Sequence, residues 1–184
     1  MTSISVSETQ GIVGAGIQAL DLLADKGLYF EGAREALLLE TIRKSPGYAA
    51  PFDLIRARIE VIVSADPNTA SREANVKLLI QGKEHLAVSE GNGPIDAFAN
   101  AMKKALVNDY PSVADIHLLD YSVSLTNPSK ETGASTRVAV TTQCCGSTLT
   151  TVDVSSDIVE ASVIALCDAY ELCLNKIKNH TKSS

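Results

Sequence analysis

The chain has 184 residues, 45% of them apolar and 4% aromatic, with no tryptophan; this describes one core-forming domain, or one with a small appendage. Sixteen Lys and Arg against 22 Asp and Glu leave a net charge of −6, and the basic residues are scattered, which argues against a nucleic-acid or anionic-membrane surface. No apolar run approaches the ~18–20 residues needed to span a bilayer, and the opening MTSISVSETQ lacks the basic flank and apolar stretch of a signal peptide, so the expected compartment is the cytoplasm.

Residues 1–50 read as a helical subdomain behind a flexible N-terminus. Ser7 and Gln10 have capping-box spacing, and Ile12, Val13, Ile17, Leu20 and Leu23 keep a helical period that Gly27 stops. LYFEGAREALLLETIRK resumes that period until Pro46, Gly47 and Pro51 break it. Residues 51–184 then repeat one theme. LIRARIEVIVS (54–64), EANVKLLI (73–80) and EHLAVSE alternate as strands, with QGK as a turn, and a helix follows from GNGP to Tyr110. HLLDYSVSLT (117–126), STRVAVTTQ and TLTTVDVS repeat the three strands, with CGS as a turn, and SDIVEASVIALCDAYELCLNKIK repeats the helix. The two helices start near Pro94 and Ile158, which sets the offset of the repeat. The expected fold is therefore α+β, with two pseudo-symmetric βββα units at about 51–110 and 111–180.

The second helix is apolar or small around most of its circumference, leaving a narrow polar stripe at Glu160, Asp168, Glu171 and Asn175. Such a helix needs cover on more than one side. Either the first helix or a second subunit supplies it, and the latter predicts a homodimer with Ile164 and Leu166 at its interface.

Self-sufficient catalytic chemistry is not evident. GIVGAG at 11–16 reverses the glycine spacing of a dinucleotide loop and lacks the strand before it. His85, His117 and His180 are isolated, and Cys144, Cys145, Cys167 and Cys173 have no metal spacing, so they read as buried thiols and neither metal nor cofactor is expected. The helix starts are better built. Gly91, Asn92 and Gly93 precede Pro94 at the first helical position, where its missing N–H costs nothing. Ser155 and Ser156 precede Asp157, which has capping-box spacing to Glu160. Two such ends facing one crevice would suit a small carboxylate ligand; simple strand-to-helix turns are the alternative.

GNGPIDAFANAMKKAL, LLDYSVSL, TRVAV and VSSDIVEASVIALCDAYE, in that order, resemble the C-terminal allosteric domain of α-isopropylmalate synthases and citramalate synthases. KGLYFEGAREALLLE is similar to the linker of the citramalate branch, and the likeness covers about residues 18–178. The resemblance implies two βββα units per chain, a dimer, and feedback control by a branched-chain amino acid, isoleucine or leucine, bound near the interface. It implies that the carboxylate meets the backbone around Gly91–Ile95 and Ser155–Ile158, that Asp120 or Tyr121 takes the ammonium, and that Ala97 and Ala161 leave room for the aliphatic tail. Gly93 is expected to need the backbone freedom of glycine. Family enzymes condense acetyl-CoA with a 2-oxo acid in a (β/α)8 barrel holding a divalent metal through an Asp and an H-x-H pair. A barrel needs about 200 residues and no H-x-H occurs here, so the chain is expected not to be catalytic on its own and to serve a barrel in cis or in trans. A structural or interaction domain that has lost the ligand is the alternative.

Overall fold

The structure is a computed structural model that describes residues 33–66, 69–126, 135–144 and 146–182. The expected first helix at 8–26, with its Ser7–Gln10 box, and Cys145 lie outside the described residues. Helix α1 spans Ala33–Arg43. Strands β1 (Asp53–Ile62), β2 (Ser71–Ile80) and β3 (Lys83–Glu90) lead into α2 (Pro94–Leu106). A 3-10 turn at Pro111–Asp115 follows, then β4 (His117–Leu125), β5 (Thr136–Cys144), β6 (Ser147–Ser155) and α3 (Ile158–Lys182). The two sheets are antiparallel with orders β1-β2-β3 and β4-β5-β6. The expected βββα duplication is what the chain adopts. The first repeat helix is shorter than its apolar period suggests, because α2 stops at Leu106 and Tyr110 already belongs to the connection into the 3-10 turn.

The repeat holds in detail at one constant offset. The shift that carries Pro94 onto Ile158 at the helix starts also carries the left-handed Gly82 onto Gly146 at the hairpin turns. It relates the irregularity between Leu54 and Arg56 in β1 to that between Leu118 and Asp120 in β4 as well. A bulge twists its strand and re-aims the residues beyond it, so both units bend alike at the start of their first strand.

Alternation builds the core. Ala74, Val76, Leu78 and Ile80 of β2 are fully buried beneath Ala97, Phe98, Ala101, Met102 and Ala105 of α2. Val138, Val140, Thr142 and Cys144 of β5 lie beneath Ala161, Ala165, Leu166, Ala169 and Cys173 of α3. One continuous core joins the units, and the Tyr170 hydroxyl on α3 donates to the Ala99 carbonyl on α2 at 3.2 Å. The second sheet is covered on its other face as well, where Ala36 and Leu37 of α1 pack on Ala139, Val152 and Val154. Helix α3 is thus covered by its own sheet, by α2 and by α1, which answers its all-round apolar character within one chain. Leu166 belongs to this intramolecular core at 1% exposed, so it does not reach an interface, whereas Ile164 stays exposed.

Each unit leaves its first strand poorly covered. The helices lie over β2–β3 and β5–β6, and β1 and β4 are exposed along most of their length. On β4, Leu118, Val123 and Leu125 pair with Thr142, Val138 and Thr136, so they face the helix side of the sheet, yet all three remain exposed.

Candidate functional site: two helix starts and two seam clefts

The start of α2 is held open. Gly93 is the N-cap with extended backbone (φ −147°, ψ 170°) and supplies no side-chain cap, and Pro94 has no N–H to offer. The Asp96 carboxylate turns back to accept from the Asn92 backbone N–H (2.8 Å) and side-chain amide (3.2 Å). The N–H groups of Ile95 and Asp96 therefore point out of the helix with no side chain capping them. The glycine requirement lies at Gly91: a Cβ there would sit 2.3 Å from the Ala97 nitrogen and 2.7 Å from its Cα. Gly93 has nothing within 4 Å of its Cβ position and no positive φ, so the expected need for glycine at 93 moves two residues upstream.

The start of α3 is closed. The Asp157 carboxylate accepts from the N–H groups of Val159 (2.7 Å) and Glu160 (3.3 Å). Glu160 does not complete the capping box at the Asp157 N–H. That N–H goes to the Ser155 hydroxyl oxygen at 3.1 Å, and Ser155 in turn donates to the Glu160 carboxylate. This end presents carboxylates where bare N–H groups were expected, so of the two helix starts only that of α2 has the donors a carboxylate ligand needs. Ser156 and Ile158 are exposed beside it.

The remaining nominated residues separate. Tyr121 faces α3, where its hydroxyl is 2.8 Å from that of Ser162, and Ser162 donates back to the Ile158 carbonyl. Asp120, paired with Thr141, is on the opposite face, since neighbouring strand residues alternate. Ala97 and Ala161 are fully buried; their small side chains let each helix approach its own sheet, and the space is filled.

Among the clefts of the described residues, two occupy repeat-equivalent seams between units, and neither was visible as a motif. One, of about 160 Å³, runs between α2 and the start of β4 and is lined by Asp96, Lys103, His117, Leu118, Thr142 and Tyr170. It brings cationic, anionic, hydroxyl and apolar groups together beside the open start of α2. Helical spacing could have grouped Asp96, Asn100 and Lys103 on one face; their meeting with β4 is tertiary. The other, of about 420 Å³, is lined by Phe52, Asp53, Leu54 and Cys167, the repeat equivalents of Ile116, His117, Leu118 and Lys103. Its remaining wall is Glu171 of α3 and, from outside the repeat, Arg43, Tyr48 and Ala50.

At this second seam Arg43 forks onto Glu171, Nε to Oε1 at 3.0 Å and Nη2 to Oε2 at 2.7 Å, and also reaches Asp168 at 2.6 Å. The Tyr48 hydroxyl donates to Glu171, and Asn175 donates to Tyr48 at 3.3 Å. Burial alone would lower the Arg43 guanidinium, but its bonds to Glu171 and Asp168 outweigh this and hold it protonated. Burial raises Asp168 above the ordinary carboxylate range against the pull of Arg43, and burial pushes Tyr48 up to about 12, aided by its bond to Glu171. Burial also pushes the Cys167 thiol up to about 12, far from the thiolate that a nucleophile needs. Among the described residues no group of three or more side chains is placed to hold a metal ion, and no helix is long and apolar enough to cross a membrane.

The chain is 36% identical over 154 residues to the (R)-citramalate synthase of Synechocystis sp., covering 81% of this chain and 28% of that enzyme. It is 37% identical over 167 residues to the (R)-citramalate synthase of Streptomyces coelicolor, covering 91% and 31%. It is 38% identical over 96 residues to the 2-isopropylmalate synthase of Aquifex aeolicus, covering 52% and 17%. The chain thus spans under a third of the length of these relatives. Residues 35–174, from the first turn of α1 through most of α3, match the family model of the LeuA allosteric (dimerisation) domain. With the paired βββα units and the GNGP helix start falling inside that match, the chain belongs to the LeuA allosteric (dimerisation) domain family.

Proposed function

We propose that this chain is an amino-acid-sensing regulatory module that binds a branched-chain amino acid, isoleucine or leucine, and pairs with a second copy of itself. The observation that carries this reading is the open start of α2 beside the uncovered helix-side face of β4. An α-carboxylate hydrogen-bonds the Ile95 and Asp96 N–H groups at the positive end of the helix. The ammonium meets the Tyr121 hydroxyl oxygen and the Asp96 carboxylate. The branched tail lies on Leu118 and the neighbouring apolar side chains of β4. Asp120, on the far face, takes no part.

The homodimer follows from the same exposed surface. Leu118, Val123 and Leu125 on β4, with Ile158, Val159 and Ile164 on α3, are large apolar side chains left in water, and exposed apolar patches of this kind mark interfaces. Residues 33–50 act as the linker to a catalytic barrel, in cis or in trans. Condensation of acetyl-CoA with a 2-oxo acid belongs to that barrel, and the module shifts its activity through differential affinity between two conformations. The closed, carboxylate-capped start of α3 favours one alternative, a structural domain that no longer binds a ligand. Thermal shift separates them. At about a hundredfold excess over Kd a ligand adds roughly 2.7 kcal/mol, or about 5–10 °C in Tm for a domain of this size. Isoleucine or leucine should give that shift and alanine and lysine should not; a flat response to every amino acid overturns the sensing role.

A further inference from the structure

The second helix of the repeat carries a feature the first lacks. With Ile158 set on Pro94, Asp168, Glu171 and Asn175 of α3 correspond to Lys104, Val107 and Pro111. This part of the polar stripe is therefore no requirement of the βββα unit, which folds once without it, whereas Glu160 does recur, as Asp96. These three members of the stripe are engaged by the segment that precedes β1: Arg43 takes Asp168 and both oxygens of Glu171, and Tyr48 takes Glu171 and accepts from Asn175; Glu160, the fourth, bonds to Ser155 instead. Glu171 is 6% exposed, and a carboxylate that deep is tolerated only when it is paired and hydrogen-bonded. Apolar side chains of similar volume would hold two elements together as well. What the ionic fork adds is a fixed register, since a guanidinium meets a carboxylate in two parallel bonds. Helix α3 is continuous over 25 residues, so Asp168 and Glu171 lie roughly 15 and 20 Å along it from Ile158.

We propose that Asp168, Glu171 and Asn175, the C-terminal part of the polar stripe of α3, are a coupling surface. It fastens the segment upstream of β1 to α3, so that a displacement of α3 is passed through Arg43 and Tyr48 into α1 and whatever precedes it. The transmission part rests on the proposed effector site, because Ile158 and the Tyr121–Ser162 contact are the ligand-proximal end of the same helix. Asymmetry between the units then has a purpose: the seam cleft at β4 is left for a soluble ligand, whereas the one at β1 is walled by the chain's own leading segment.

Hydrogen exchange on the full chain tests this in two arms. Without ligand, Arg43→Gln and Glu171→Gln should each raise exchange across residues 33–48 at least tenfold while β2 and β5 stay protected. Tyr48→Phe, which removes the hydroxyl's bonds to Glu171 and Asn175 and leaves the ion pairs, should give a smaller rise in the same peptides. Exchange at 33–48 equal to wild type in all three variants, or rising in step with the sheets, overturns the proposal. In the second arm, saturating isoleucine or leucine should change exchange at both 158–171 and 33–48 in wild type, and only at 158–171 in Arg43→Gln, with the thermal shift kept. A wild-type thermal shift with no response at 33–48 overturns the coupling and leaves the ligand reading standing. Absence of a thermal shift with any amino acid defeats the ligand reading, and the variants alone then decide the joint.

Discussion

The two βββα units share a common register, a bulge in the first strand and a left-handed glycine in the hairpin, yet their helices begin in opposite ways. Helix α2 starts on a glycine that caps nothing, and α3 starts on an aspartate that caps two N–H groups. A glycine in place of a capping side chain forgoes roughly a few tenths of a kcal/mol of helix stability. A repeat that carries the cap in one copy and omits it in the other keeps donors open at the place proposed for a ligand carboxylate. The difference also extends to the far ends of the helices, where α3 carries the carboxylates that bond Arg43 and Tyr48 of the leading segment.

Charge in the shared core should have the largest effect. Leu166→Asp places a carboxylate at a fully buried position and should prevent folding, at a cost above about 4 kcal/mol. Ile164→Asp, two residues away and exposed, should leave Tm within a few degrees and disperse dimers into monomers in light scattering. Equal damage from both would place Ile164 in a core the fold does not show.

The glycines sharpen the contrast at the first helix start. Gly91→Ala drives a Cβ into the Ala97 backbone, and should lower stability by about 2–4 kcal/mol in urea denaturation. Gly93→Val has open space and an extended φ, so its cost should stay under about 1 kcal/mol.

Exchanging the caps sets the two starts directly against each other. Asp157→Ala should cost about 1 kcal/mol and leave ligand response intact. Gly93→Asp should gain a few tenths of a kcal/mol and abolish the isoleucine or leucine shift, since the new carboxylate occupies the open donors. A ligand shift that survives Gly93→Asp would move the carboxylate site away from α2.

The smallest effect is a slope. Asp168 is raised by burial, so the folded chain holds this proton more tightly than the unfolded one. The stability this contributes is fully present below the ordinary carboxylate pKa of about 3.9 and is lost as pH rises through the folded value. Asp168→Asn should flatten that part of the Tm–pH curve, measured upward from about pH 3.5; an unchanged curve would show the group to be solvated.

Much of the fold was legible because binary pattern and turn chemistry were written twice. EANVKLLI and TRVAV alternate, QGK and CGS supply the left-handed turn glycines, and each copy checks the other. The site was only partly legible. Gly93 and Pro94 do occupy the N-cap and first helical positions, and Asp157 is a cap. Asp120 and Tyr121 cannot serve one pocket, as strand alternation alone implies. Leu166 and Ile164 look equivalent in sequence because an all-round apolar helix does not announce which side meets its own chain. The stripe at Glu160, Asp168, Glu171 and Asn175 stood out without a partner in sequence, and Arg43, 125 residues from Asp168, could not be found by any local rule.

The sequence by itself determined the elements, their order, their pairing within each unit and the twofold repetition, because these follow from the periods of strand and helix and from turns only a few residues long. Tertiary structure alone decided which helix start stays open, which apolar faces remain in water, and where the leading segment docks. Those outcomes depend on contacts between groups as distant in the chain as Tyr170 is from Ala99, or Arg43 from Glu171. Their geometry is set by how two sheets and three helices share one core, and no local pattern encodes a separation of that kind.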